Sequence, residues 1–183
     1  MMKQKFTSIT AELIKQRREV HELCRQFSRS PSKGNLKRLS ALFNHCGEQV
    51  IIEGGFYCDY GDKITMGDRV FININCTILD GGNVDIGNDC LIGPNVQLLT
   101  VGHDTDPTLR LEKYNYADNI IIGENVWLGA GVIVLAGVSI GANSVVGAGS
   151  VVCKNVEPFS TYVGNPAIKI KTHKSIHRQS ATI

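Results

Sequence analysis

The stretch Ile122-Gly123-Glu124-Asn125-Val126-Trp127-Leu128-Gly129-Ala130-Gly131-Val132-Ile133-Val134 decides the fold. From Ile122 an aliphatic residue returns at every sixth position: Leu128, Val134, Ile140, Val146 and Val152. The same period runs upstream through Met66, Ile72 and Ile78, and then Ile86, Ile92 and Leu98. Glycine follows many of these residues, as in Met66-Gly67, Ile92-Gly93 and Ile140-Gly141, and a second aliphatic row includes Val126, Val132 and Val138. Six residues make one short straight side and a corner, and three sides close a coil of roughly 18 residues. Such coils stack by parallel strand pairing at about 4.7–4.9 Å with their aliphatic side chains inward. Asn88, Asn95, Asn125 and Asn143 are expected with glycine at the corners, where left-handed backbone is least costly for them.

Outward from this repeat the composition changes. Residues 1–50 carry ten basic and four acidic side chains, residues 51–167 five and thirteen, and residues 168–183 four and none. Of the 19 glycines, 17 fall in the middle segment, so three parts are expected: an N-terminal helical segment (1–50), the solenoid (51–167) and a basic C-terminal tail (168–183). In the first part Ile9, Leu13, Val20, Leu23, Cys24 and Phe27 recur at helical spacing up to Ser30-Pro31-Ser32. Leu36, Leu39, Leu42 and Phe43 predict a second helix, closed by Gly47.

Across the 183 residues, 43% are hydrophobic and the net charge is +2, a balance that excludes disorder and binding of nucleic acid by bulk charge. No run approaches the roughly 20 apolar residues of a membrane span. The Met-Met-Lys-Gln-Lys start lacks the apolar core of an export signal, so a cytoplasmic protein is expected. The six cysteines show no CxxC spacing and are expected to be reduced packing residues, with Cys58 stacked over Cys76 one coil away.

The period breaks at Asp80-Gly81-Gly82-Asn83, which adds two residues, and between Leu98 and Ile122. Breaks in a solenoid are loops on one face, often the functional one. The longer break predicts a projecting loop over about 103–118. His103 opens it and is the one histidine of five within 51–167, a candidate general base because imidazole titrates near neutrality. Trp127 is expected to point outward, where it serves a subunit contact as well as a ligand. Asn73 and Asn75 are expected on one outer strand face, able to hold a hydroxyl or to form a ladder between coils. Asp59 and Asp80 are candidates for the same surface.

The ordered segments Phe56-Tyr57-Cys58-Asp59-Tyr60-Gly61, Phe71-Ile72-Asn73-Ile74-Asn75-Cys76, Ile92-Gly93-Pro94-Asn95-Val96 and Gly102-His103 resemble the maltose and galactoside O-acetyltransferases. The likeness continues through Ile122–Gly129, Gly147–Val152 and Gly164-Asn165-Pro166-Ala167, over nearly all of residues 12–171. It implies a mainly β fold, a left-handed parallel β-helix of hexapeptide repeats, in homotrimers with sites between adjacent subunits. It implies acetyl transfer from acetyl-CoA to a sugar hydroxyl, with no metal required. By position, His103 matches the base, Asn73, Phe71, Asp59, Trp127 and Arg17 the acceptor site, and the Ala130 N–H an oxyanion donor. Gly93, Ala130 and Ala148 match the pantetheine path, and Cys153, Lys154 and Lys171 its phosphate end.

The chain departs from the family in three places. By the resemblance, the N-terminal Tyr and acidic residue that help close the sugar site are expected to be missing from its N-terminal stretch. Gly81 replaces an acidic residue of galactoside enzymes, and Ile168 stands where a basic residue usually follows Pro-Ala. His173 and His177 match no motif. Alternatives are a hexapeptide acetyltransferase acting on an antibiotic or amine, and a non-catalytic solenoid scaffold. A zinc carbonic anhydrase on this solenoid needs three convergent histidines, and the repeats hold His103 alone.

Overall fold

The computed structural model describes residues 4–174. The six-residue period builds three parallel sheets, stacked as the sides of a β-helix. One side runs through His45–Cys46, Ile64–Met66, Val84–Ile86, Ile120–Ile122 and Ser139–Ile140. A second runs through Ile51–Ile52, Phe71–Ile72, Leu91–Ile92, Trp127–Leu128, Val145–Val146 and Ser160–Val163. The third holds Tyr57–Cys58, Thr77–Leu79, Gln97–Leu99, Ile133–Leu135 and Val151–Val152. The repeat residues Ile72, Ile78, Leu98, Ile122, Leu128, Val134 and Ile140 are all buried in one core. Burying each such side chain contributes about 1.5–3 kcal/mol, which a two- or three-residue strand alone does not supply.

The solenoid begins slightly before the expected residue 51, because Cys46, like Ile52 and Cys58, already occupies an inward position. The lower coils are longer than the upper ones. Ile51 lies under Phe71 and Phe71 under Leu91, whereas Trp127 lies under Val145. The two extra residues fall at Asp59–Asp62 as well as at the foreseen Asp80–Asn83. Cys58 therefore pairs with Ile78 and not with Cys76, which corrects the expected thiol stack. The neighbouring Cys24 thiol, together with burial, pushes Cys58 well above the ordinary thiol range. All six cysteines are free.

Helix α1 (Ala11–Arg29) starts at an N-cap Thr10 whose hydroxyl accepts from the Leu13 N–H, and it buries Val20, Cys24 and Phe27 against the lower coils. Helix α2 (Lys33–Ser40) starts at Ser32 and buries Leu39. Gly47 does not end α2. It lies at the corner of the first coil, where a Cβ would stand 2.5 Å from the Gly67 carbonyl carbon. Asn95, Asn125 and Asn143 have the expected left-handed backbone, but at the Asn88 corner it is Asp89 that adopts it, at φ 60°. The Asn88 side-chain amide oxygen Oδ1 instead accepts from the Asp68 N–H at 2.8 Å.

The projecting loop carries a short helix, α3 (Pro107–Arg110), capped by the Asp106 carboxylate. Its ends form a small antiparallel sheet, in which Asn115–Ala117 lies between Val101–Gly102 and the N-terminal strand Gln4–Phe6. At the other end the basic tail starts as a strand, Ile168–Thr172, antiparallel to Ser160–Val163. His173 is held there by the Thr161 hydroxyl, 2.7 Å from its Nε2. His177 lies outside the described residues.

Candidate active site

The second side of the β-helix carries an in-register outer column of Phe71, Leu91, Trp127 and Val145. These residues precede the inward Ile72, Ile92, Leu128 and Val146, so the alternation that buries one row exposes the other. Trp127 is 54% exposed, as its position predicts. Beside this column the chain turns through Gly93-Pro94, Gly129-Ala130 and Gly147-Ala148. A Cβ on Gly93 would stand 2.8 Å from the Ala130 nitrogen, and one on Gly129 2.6 Å from the Ala148 nitrogen, so glycine is required where successive corners meet. Small residues at these corners leave a groove of about 650 Å³, lined by Phe71, Asn73, Gly93, Trp127, Ala130 and Ala148 among others. Residues matched separately to the acceptor and to the acetyl donor thus share one cavity.

Asn73 and Asn75 do not lie on one strand face. The strand ends at Ile72, the Asn73 side chain accepts from the Ile74 N–H at 2.8 Å, and Asn75 takes the left-handed corner at φ 59°. Asn73 lines the groove and Asn75 does not. Leu91, Pro94 and Val145 also line it, and sequence reasoning missed them. Their signal was present: Leu91 and Val145 share the register of Phe71 and Trp127.

His103 sits exposed where the loop leaves the small sheet, its Nδ1 3.4 Å from the Tyr114 carbonyl oxygen. It is not among the groove-lining residues. Neither are Cys153 and Lys154, both exposed on the last coil, nor Lys171, opposite Thr161 on the terminal strand.

Asp59 and Arg17 belong to a different cluster, between α1 and the lower coils. The Asp59 carboxylate is 3.4 Å from His21 Nε2, and the Tyr57 hydroxyl is 2.6 Å from the same nitrogen. Burial raises the pKa values of Tyr57 and Tyr60, while the nearby Arg17 charge lowers them in part. His21, Tyr57 and Tyr60 were not anticipated, because only folding brings α1 onto this corner.

Asp80 departs from its expected place on the acceptor surface. It is fully buried, and its carboxylate accepts from the N–H groups of Asp59, Tyr60 and Gly61 at 2.9, 3.0 and 2.6 Å. Burial raises its pKa, opposed by these same N–H bonds. Its carboxylate ties the two-residue insertion of the coil below. Among the described residues no group of three or more His, Cys, Asp or Glu side chains is placed to hold a metal ion.

Residues 119–154 match the family described as bacterial transferase hexapeptide (six repeats). The chain is 35% identical to a solved maltose O-acetyltransferase from Clostridium difficile 630, with a TM-score of 0.91 and 94% of each chain covered. It is 34% identical to a hexapeptide-repeat acetyltransferase from Vibrio cholerae O1 biovar eltor solved with acetyl coenzyme A, with a TM-score of 0.88 and 93% of each chain covered. It is also 37% identical, over 121 residues, to the galactoside O-acetyltransferase of Escherichia coli (strain K12), covering 64% of this chain and 60% of that protein. The match spans about three fifths of the length of several curated relatives. The fold and the outer groove define a hexapeptide-repeat transferase. The chain belongs to the hexapeptide-repeat acetyltransferases.

Proposed function

We propose that this protein transfers the acetyl group of acetyl-CoA to a hydroxyl of a maltose-, glucose- or galactoside-like sugar. The observation that carries the reading is the shared groove, in which Phe71, Asn73 and Trp127 stand beside Gly93, Ala130 and Ala148. Its apolar lining and small corner residues suit a pantetheine arm laid along the solenoid. Cys153, Lys154 and Lys171 stand at the terminal coil and strand, with the two lysines available to the phosphates.

In this mechanism His103 takes the proton from the acceptor hydroxyl as that oxygen attacks the thioester carbonyl. The carbonyl oxygen gains the negative charge and is met by the Ala130 N–H, then the intermediate collapses, breaking the C–S bond. The leaving sulfur takes that proton from protonated His103 and departs as the CoA thiol, giving the acetyl ester without an acyl-enzyme. Neighbouring N–H groups are already used between coils, Gly129 to the Val146 carbonyl and Gly131 to that of Pro94.

The acceptor candidates are divided within one chain, Phe71, Asn73 and Trp127 in the groove and Asp59 with Arg17 beside α1. A site between adjacent subunits reunites such halves, so a homotrimer fits this division, as does exposed Trp127. The free cysteines fit a reducing compartment such as the cytoplasm. Among the described residues no helix is long and apolar enough to cross a membrane.

The test is thiol release from acetyl-CoA with maltose, glucose, galactosides and chloramphenicol in parallel. Release that depends on a sugar supports the reading, and release with chloramphenicol alone replaces it with antibiotic acetylation. A monomeric mass by light scattering overturns the trimer.

A further inference from the structure

We propose that the N-terminal strand Gln4–Phe6 positions the His103 loop, with Lys5 and Phe6 as its positioning residues. The inference rests on the acetyltransferase reading, in which His103 is the base. The link is short: Gln4–Phe6 pairs with Asn115–Ala117, which pairs with Val101–Gly102, and His103 is the next residue. The contact of His103 Nδ1 with the Tyr114 carbonyl ties the imidazole to the start of that central strand.

Without its third strand this sheet is a two-stranded ribbon, which is marginal in water; a third strand with an apolar face is what stabilises such a sheet. Phe6 supplies that face. A Cβ on Gly81 would stand 2.9 Å from Phe6 Cζ and 2.2 Å from Val101 Cγ1, so both side chains pack into the space that Gly81 leaves at the coil corner. Gly81 therefore seats the strand that orders the loop.

Lys5 holds the far side of the same loop. Its Nζ is 3.0 Å from the Glu112 carboxylate and 4.0 Å from the centre of the Tyr114 ring. The Ser8 hydroxyl accepts from the Asn115 side-chain amide at 2.7 Å, closing the connection to α1. The exposed ion pair is worth little alone, so Phe6 carries the larger share.

The experiment uses the full chain as wild type, as the double variant Lys5→Ala/Phe6→Ala, and as the conservative double variant Lys5→Arg/Phe6→Leu. Amide hydrogen exchange over 101–103 and 114–117 is measured alongside kcat and the KM for acetyl-CoA. The alanine variant is expected to exchange at least about tenfold faster in these two segments alone. Its kcat is expected to fall by about 10- to 100-fold, as for a displaced catalytic group, with the KM for acetyl-CoA unchanged. The conservative variant is expected to restore both. Unchanged exchange overturns the proposal, as does faster exchange with intact kcat, or a loss that spreads to the solenoid amides. If the wild type transfers no acetyl group, the acetyltransferase reading fails, and the exchange result still decides whether the strand orders the loop.

Discussion

The upper coils and the lower coils use one six-residue motif and end in opposite states. Around Trp127 and Val145 the coils repeat every 18 residues, their corners are glycine and alanine, and the outer face is left as a groove. Around Asp59 and Asp80 two residues are added per coil, and the protein fills the corner itself. The Asp80 carboxylate accepts three N–H groups there, and α1 closes over it with Cys24 against Cys58. Small corners on a regular period make room for a ligand, whereas an insertion creates unpaired backbone N–H groups that a buried carboxylate must answer. The upper coils thus leave an open groove, and the lower corner is closed by the protein's own carboxylate.

Substitutions break this contrast by different amounts. The largest effect is expected at the projecting loop: His103→Ala should lower turnover by roughly 10²–10⁴-fold, about 2.7–5.4 kcal/mol of barrier, with acetyl-CoA affinity unchanged. Steady-state kinetics beside a binding titration checks this, and turnover like wild type removes His103 as the base. Next, Asp80→Ala leaves three N–H donors without their acceptor and should cost about 3 kcal/mol, a melting temperature lower by roughly 6–12 °C in calorimetry.

The pH dependence of Asp80 has a definite sign. Burial holds its folded pKa above the ordinary 3.8, so the native state binds more protons than the unfolded one between the two values. Stability therefore falls as pH rises through that window, and Asp80→Ala should flatten this part of the curve. A steeper fall in the variant would reverse the assignment.

On the groove side, Ala148→Leu fills space without touching the core and should weaken acetyl-CoA binding by about tenfold or more, about 1.4 kcal/mol, with the melting temperature unchanged. Isothermal titration reads it directly, and a variant that binds as wild type takes the donor out of the groove. The smallest effect is at the α1 cluster, where Tyr57→Phe loses the bond to His21. It should cost about 1 kcal/mol, or roughly 2–4 °C, with no change in donor affinity.

The solenoid was legible because a six-residue period survives in inward Ile, Leu and Val regardless of what the corners do. The register of the first coil was not legible, because Cys46 and Cys58 occupy inward positions where an aliphatic is looked for and the insertion after Cys58 sets it over Ile78 and not Cys76. Phe71, Asn73, Gly93, Trp127, Ala130 and Ala148 could be placed by motif, and the fold gathers them because they fall on one side and its corners. The cluster of His21, Tyr57 and Asp59 was not legible, since 36 and 38 residues separate His21 from its partners and no period spans a helix and a coil. Nor was the burial of Asp80 legible, because an Asp beside two glycines looks like a surface turn until the coil beneath presents its N–H groups.

The most direct measurement is a titration of the wild-type chain with acetyl-CoA, followed by heat of binding and by melting temperature. Saturable binding of one acetyl-CoA per chain, raising the melting temperature as ligand exceeds its dissociation constant, is the predicted result. No heat and no thermal shift at high acetyl-CoA would contradict the account, leaving the groove beside Trp127 without its donor.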